Sequence, residues 1–129
     1  MQPQVKTLLN AVGANGHSEK MLVSDWANYI MEVFANGTAT GTIKFKMSMQ
    51  DSCDFTAPST PTNRWAYVGF VDSDTGSPTA GSTGIALAGA NATRIVELNV
   101  SNADWICVEL SGWSAGAFTV IGTATNATR

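Results

Sequence analysis

The stretch Thr42–Met49, TIKFKMSM, alternates without a break. Ile43, Phe45, Met47 and Met49 fall on one side, and Thr42, Lys44, Lys46 and Ser48 on the other. A period of two residues belongs to a strand with one buried face, because a helix would scatter these apolar groups around its axis. The lysines then stand on a solvated face. Such a strand needs neighbours, and the chain supplies them. WANYIMEVF (Trp26–Phe34) is β-branched and aromatic, and it runs to Asn36-Gly37, a strong turn signal that predicts a hairpin with the Ile43 strand. Arg94–Val100 places Val96, Leu98 and Val100 inward, with Ile95, Glu97 and Asn99 outward. Arg64–Val71, Trp105–Leu110 and Phe118–Thr123 read as further strands, and Val5–Leu9 and Lys20–Val23 as weaker ones.

Eight or nine short strands at this spacing predict an all-β fold: a single antiparallel β-sandwich of jelly-roll type, with a small closed barrel as the alternative. A helix is hard to place, since the longer segments are broken by glycine or rich in Val, Ile, Thr and aromatics. The 129 residues suit one domain, as domains most often hold about 100–150 residues. Residues 1–14 read as an N-terminal arm, a candidate strap onto a neighbouring subunit, and 15–129 as the β-sandwich. The segment Ser73–Gly89, SDTGSPTAGSTGIALAG, reads as a long exposed loop over Asp72–Ser82, a short strand over Thr83–Ala88 and a turn at Gly89.

Charge narrows the function classes. Charged residues are 13% of the chain, about half the usual share of roughly 25%. Net charge is −3, with seven scattered Lys and Arg. That leaves no basic stripe for a nucleic-acid backbone and no attraction to an anionic membrane surface. No run approaches the length of a membrane-spanning helix. The N-terminus MQPQVKTLLNAVGANG does not read as a signal peptide, so Cys53 and Cys107 are expected as free thiols and the protein as a soluble product of a cytoplasm.

No constellation for chemistry emerges. His17, the only histidine, lies in the turn-like GANGHSEK and reads as a solvated loop residue; a nucleophilic triad would have to use it. The acidic pairs Asp51/Asp54 and Asp72/Asp74 could serve glycoside hydrolysis, but in polar loops they read as turn residues. The calcium-loop resemblance of Asp72–Gly76 fails on spacing, since the glycine comes fifth and position twelve is Thr83. Gly76–Gly81 has Walker-like spacing, but Ser82 and Thr83 stand where a lysine is needed. The Asn-x-Thr/Ser triplets at Asn36, Asn91, Asn99 and Asn126 read as turn chemistry. No catalytic residue, cofactor or metal is expected.

The aromatics carry more information. The strands at Arg64 and Trp105 are apolar on both faces, whereas a sandwich strand needs only one. Trp65, Tyr67 and Trp105 are therefore candidate interface residues, and a homo-oligomer is the expected state. Trp113, flanked by glycine and serine in SGWSAG, is the candidate exposed aromatic and would be the platform of a carbohydrate-binding module.

From Asn63 the sequence resembles small virion proteins of tailed bacteriophages. The resemblance rests on NRWAYV (Asn63–Val68), the acidic Asp72–Asp74, TGIALAG (Thr83–Gly89), ELNV (Glu97–Val100), the Trp105–Leu110 strand and Ala115–Val120. It covers about half the chain, with LLNAVGANG near the start as a weaker addition. It implies a non-enzymatic β-sandwich of the virion, a capsid decoration or cement protein that bridges subunits of the major capsid protein, often as a trimer. A neck or fibre component is also within its range. No functional residue is carried over, since the shared pattern consists of turns and core positions.

Overall fold

The computed structural model describes residues 4–24, 26–50, 63–98 and 103–126. Cys53, Asp51 and Asp54 lie outside them. Nine strands appear among the described residues: β1 (Gln4–Val12), β2 (Gly16–His17), β3 (Met21–Leu22), β4 (Asn28–Ser48), β5 (Ala66–Tyr67), β6 (Phe70–Asp72), β7 (Pro78–Thr79), β8 (Ile85–Leu98) and β9 (Trp105–Thr125). No helix appears among these residues, so none is long and apolar enough to cross a membrane. All nine strands join one antiparallel sheet in the order β1-β9-β4-β8-β6-β7. β2 and β3 add to β9, and β5 adds to β4. The all-β antiparallel class agrees with the sequence. The strands, however, form one sheet dominated by three long members.

Those three strands account for the main difference from the sequence reading. Asn36-Gly37 does not make a hairpin, because β4 runs through it for 21 residues. Gly37 has φ +73° and sits in a bulge: residues 37–39 of β4 stand opposite residue 116 of β9 alone. One step further the surplus passes to β9, where residues 112–114 face Gly41 and Gly112 has φ +61°. On the other side, residues 88–89 of β8 face Thr40, and Gly89 has φ +61°. A bulge adds twist and bends its strand, and glycine takes the left-handed backbone without a Cβ clash. The bulges line up across neighbouring strands, so the sheet bends along one line. Gly89 is therefore a bend inside β8 rather than a turn after a short strand.

The bend brings the two ends of the sheet face to face. Phe70, whose register partner is Leu98, meets Phe45 edge-on with ring centroids 5.6 Å apart. A Cβ on Gly122 would lie within about 3.3 Å of atoms of Leu8, Met31 and Met21. Tyr29, Met31 and Val33 from one half and Ile43, Phe45, Ile106, Val108 and Leu110 from the other thus share one core. The inward set alternates as the sequence predicts at Ile43 and Phe45, which are buried, and at Val96 and Leu98, buried beside an exposed Ile95; at the end of β4 the alternation fails, because Ser48 is buried and Met49 is 58% exposed.

Within the stretch read as an N-terminal arm, Gln4–Val12 form β1, an edge strand on β9 that sends Leu8 and Leu9 into the core. A bulge at Asn10-Ala11 ends its regular pairing; Ala11 has φ +51° and donates its N–H to Thr119 Oγ1 at 3.0 Å. Arg64–Val71 is divided between β5 and β6, with the Val68 N–H donating to Phe45 O at 2.9 Å. The expected open loop is in part the β6–β7 hairpin, closed by Asp72 N–H to Ser77 O and Gly76 N–H to Asp72 O.

Candidate functional site

On β9, Ile106, Val108 and Leu110 point to the core, so Trp105, Cys107 and Glu109 take the outer face. Register then places partners beside them. His17 on β2 pairs with Glu109, and so does Lys44 on β4. Lys46 pairs with Cys107 on one side and Tyr67 of β5 on the other. Four strands thereby assemble a polar cluster that no local motif announces.

Glu109 is its centre. Its Oε2 lies 3.0 Å from Lys46 Nζ and 3.2 Å from His17 Nε2, and its Oε1 accepts the Tyr67 hydroxyl at 2.9 Å. Lys46 Nζ and His17 Nε2 are themselves 3.2 Å apart. Lys46 and Lys44 set their ammonium groups 5.0 and 5.1 Å from the centre of the Tyr67 ring. The Lys46 side chain is only 7% exposed and that of Glu109 14%. This ion pair is thus largely removed from water, where each charge depends on the other.

The environment sets the protonation states. Burial, then the Lys46 ammonium, hold the His17 imidazole below its ordinary value, against the opposing charge of Glu109. Burial works to raise the Glu109 pKa, but hydrogen bonds from Lys46 and Tyr67 and the charges of Lys46 and His17 outweigh it and leave it lowered. Burial and the bond to Glu109 raise that of Tyr67. Neutral His17 with a bare Nε2 accepts from Lys46. Protonated at Nε2, it donates to Glu109 instead.

Next to this cluster, Trp65 and Cys107 form a second small apolar core, with Trp105 packed on it. Lys20 holds its ammonium 4.2 Å from the centre of a Trp105 ring. The three residues expected at an interface are therefore gathered on one outer face. Trp65 and Cys107 are buried within the chain, and Tyr67 is 42% exposed. Trp65 Nε1 is buried and finds no acceptor among the described residues.

Trp113 is placed differently. It is partly buried against the main core, its indole N–H donates to Gly116 O at 2.9 Å, and its backbone N–H donates to Asn15 Oδ1 at 2.8 Å. Its ring is held against the β9 bulge that carries it rather than standing clear as a sugar platform. Asp72 behaves as turn chemistry predicts: Oδ1 accepts the Asp74 N–H at 2.8 Å and Oδ2 accepts from Arg94 Nη1 at 2.8 Å. The bond from Asp74, with the Arg94 contacts, holds the Asp72 carboxyl below the usual range. Among the described residues no group of His, Cys, Asp and Glu is arranged to hold a metal ion.

Sequence reasoning missed the His17–Lys46–Glu109–Tyr67 cluster. The available signal was Glu109, the one charged residue inside the otherwise apolar WICVEL. A carboxylate in such a strand requires a partner.

Comparison with known protein families and with curated proteins gives no match. Among solved structures, the fold is similar to the crystal structure of the SPBc2 prophage-derived protein YomS, with a TM-score of 0.71 at 10% sequence identity. The match covers 95% of this chain and 92% of that one. At that identity the likeness is one of fold.

Proposed function

We propose that this chain is a structural, non-enzymatic component of a bacteriophage virion, a capsid decoration or cement protein that bridges subunits of the major capsid protein as a homo-oligomer, a trimer. The observation that carries the reading is the near end-to-end fold likeness to a prophage-derived protein. The phage-like motifs from Asn63 to Val120 point the same way. Within this reading the bent sheet serves as a sandwich-like slab, and its function is mechanical: apolar area and hydrogen bonds across joints of the shell, multiplied by several copies per oligomer.

The polar cluster fits a structural role. His17, the one imidazole available for acid–base work, is tied to Lys46 and Glu109. Lys46, the least exposed of the cluster's charged side chains, is ion-paired. In this reading the cluster fastens β2, β9, β4 and β5 together on the outer face.

Purified protein mixed with heads lacking it tests the proposal. It should co-sediment to saturation and raise the temperature at which the heads rupture. Failure to bind heads, with binding to isolated tails or to a glycan array instead, would overturn the capsid assignment.

A further inference from the structure

The two halves of the bent sheet present different outer faces. In the first half, formed where β1, β9, β4, β8 and β6 lie side by side, outward positions alternate with the buried Tyr29, Met31, Val33 and Val96. They carry the exposed Val5, Phe34 and Ile95 at 64%, 40% and 44% exposure, with Ile30 half-buried between them. Threonines fill most remaining outward positions on β9. The charged residues at these outward positions are Glu32 and Glu97; among the described residues there, no lysine or arginine occurs. A groove of about 280 Å³ lined by Ile30, Val71, Ile95 and Glu97 opens on this face. The outer face of the second half is of opposite sign. Among the described residues there, Lys46 and Glu109 offset one another, and Lys44 adds positive charge beside the exposed Leu22 and Tyr67.

We infer that these two faces bind each other between copies of the chain: the acidic apolar face of one molecule docks on the basic aromatic face of the next, head to tail. Charge decides the pairing. Two acidic faces meeting about a two-fold axis would oppose Glu32 and Glu97 with their own copies, whereas acidic on basic pairs opposite signs. Area is adequate. Four strands about 4.8 Å apart with eight residues rising about 3.3 Å each, and the three residues of β6 beside them, give a face of roughly 550 Å² in projection. That approaches the roughly 800 Å² of accessible surface per partner in a stable interface. A chain carrying both complementary faces makes heterologous contacts, which close into a ring or extend as a filament. The inference deepens the self-association in the proposed function. It is tested in solution without capsids, so its failure leaves the capsid assignment to its own experiment.

The test is sedimentation of the full chain across concentration and salt, with one variant on each face. Wild type should associate beyond a monomer and weaken as salt screens the charges. Glu32→Lys on the acidic face and Lys44→Glu on the basic face should each weaken association by at least about tenfold. Leu22→Glu is a second basic-face variant that leaves the Glu109 cluster untouched. The deciding result is a mixture. Folded Glu32→Lys and Leu22→Glu chains each keep one intact face, so together they should form a one-to-one dimer and nothing larger. A wild type that stays monomeric at millimolar concentration overturns the inference. So does a folded single variant that associates like wild type, or a mixture of folded variants that remains monomeric.

Discussion

Replacing Glu109 by Gln isolates the charge at the centre of the outer-face cluster. The amide keeps the side chain's shape and can still accept the Tyr67 hydroxyl, so what is lost is the counter-charge of Lys46. Lys46 cannot easily turn to water, with its side chain 7% exposed and its ammonium 3.0 Å from the lost carboxylate. Removing one partner from a buried pair costs about 3–5 kcal/mol. Glu109 retains 14% exposure and the amide preserves one hydrogen bond, which places Glu109→Gln near the lower end, about 3 kcal/mol. At about 3–5 °C per kcal/mol for a chain of this size, Tm should fall by about 9–15 °C. Urea unfolding, with a slope near 2 kcal/mol/M, should show a midpoint lower by about 1.5 M. Lys46→Met should also destabilise, but Lys46→Met in the Glu109→Gln background should cost much less, giving a coupling of about 1.5–3 kcal/mol. If Glu109→Gln alone costs under about 0.5 kcal/mol, like an ordinary surface change, or the cycle shows no coupling, the buried-pair reasoning is wrong.

Other outcomes follow from the same geometry. The folded-state pKa of His17 is lowered, so the unfolded chain binds the proton first; the stability tied to neutral His17 is complete above the ordinary imidazole value and is lost as pH falls through the lower folded value. Unfolding free energy measured from about pH 7.5 down to about pH 5.5 should drop less steeply in His17→Gln than in wild type, and equal slopes would remove His17 from the account. The Asp72 carboxyl is also lowered, so its contribution is present above the usual aspartate range and lost on further acidification; Asp72→Ala should cost about 1–3 kcal/mol, and Asp72→Asn, which can keep the bond from the Asp74 N–H, should cost less by denaturant unfolding. Gly116→Ala should be far worse than Gly37→Ala: both have positive φ, but a Cβ at residue 116 would sit 2.4 Å from Ala39 Cα, while one at residue 37 meets nothing within 4 Å. Left-handed strain of about 1–2 kcal/mol applies to each, with about 1–3 kcal/mol of overpacking added at residue 116, and paired thermal melts check the difference. Ala11→Gly should stabilise, by up to about 1 kcal/mol, because Ala11 holds φ +51°.

Local alternation was legible where one face of a strand is buried and the other is not. Ile43 and Phe45 are inward as TIKFKMSM predicts, and Ile95 is outward between Val96 and the strand's polar neighbours. Strand length was not legible, because Asn-Gly supplies the same left-handed residue to a hairpin and to a bulge. Only neighbours on both sides, β8 and β9, make Gly37 a bulge, and they lie far away in sequence. Lys46 was misread for a related reason. Its place on the polar side of the alternation is correct, but an outer face is solvated only if nothing covers it, and here it lies among His17, Tyr67 and Glu109. Trp65, Tyr67 and Trp105 stood out as large groups on a second strand face, and the structure gathers them on one outer face. Nothing local told that the chain itself would bury Trp65 against Cys107.

The most direct measurement is the composition of the purified particle. Phage particles prepared from cultures that express this chain, freed of soluble protein by gradient centrifugation and analysed by quantitative mass spectrometry, should contain it in fixed stoichiometry to the major capsid protein. Its presence in the lysate but absence from intact particles would contradict the account.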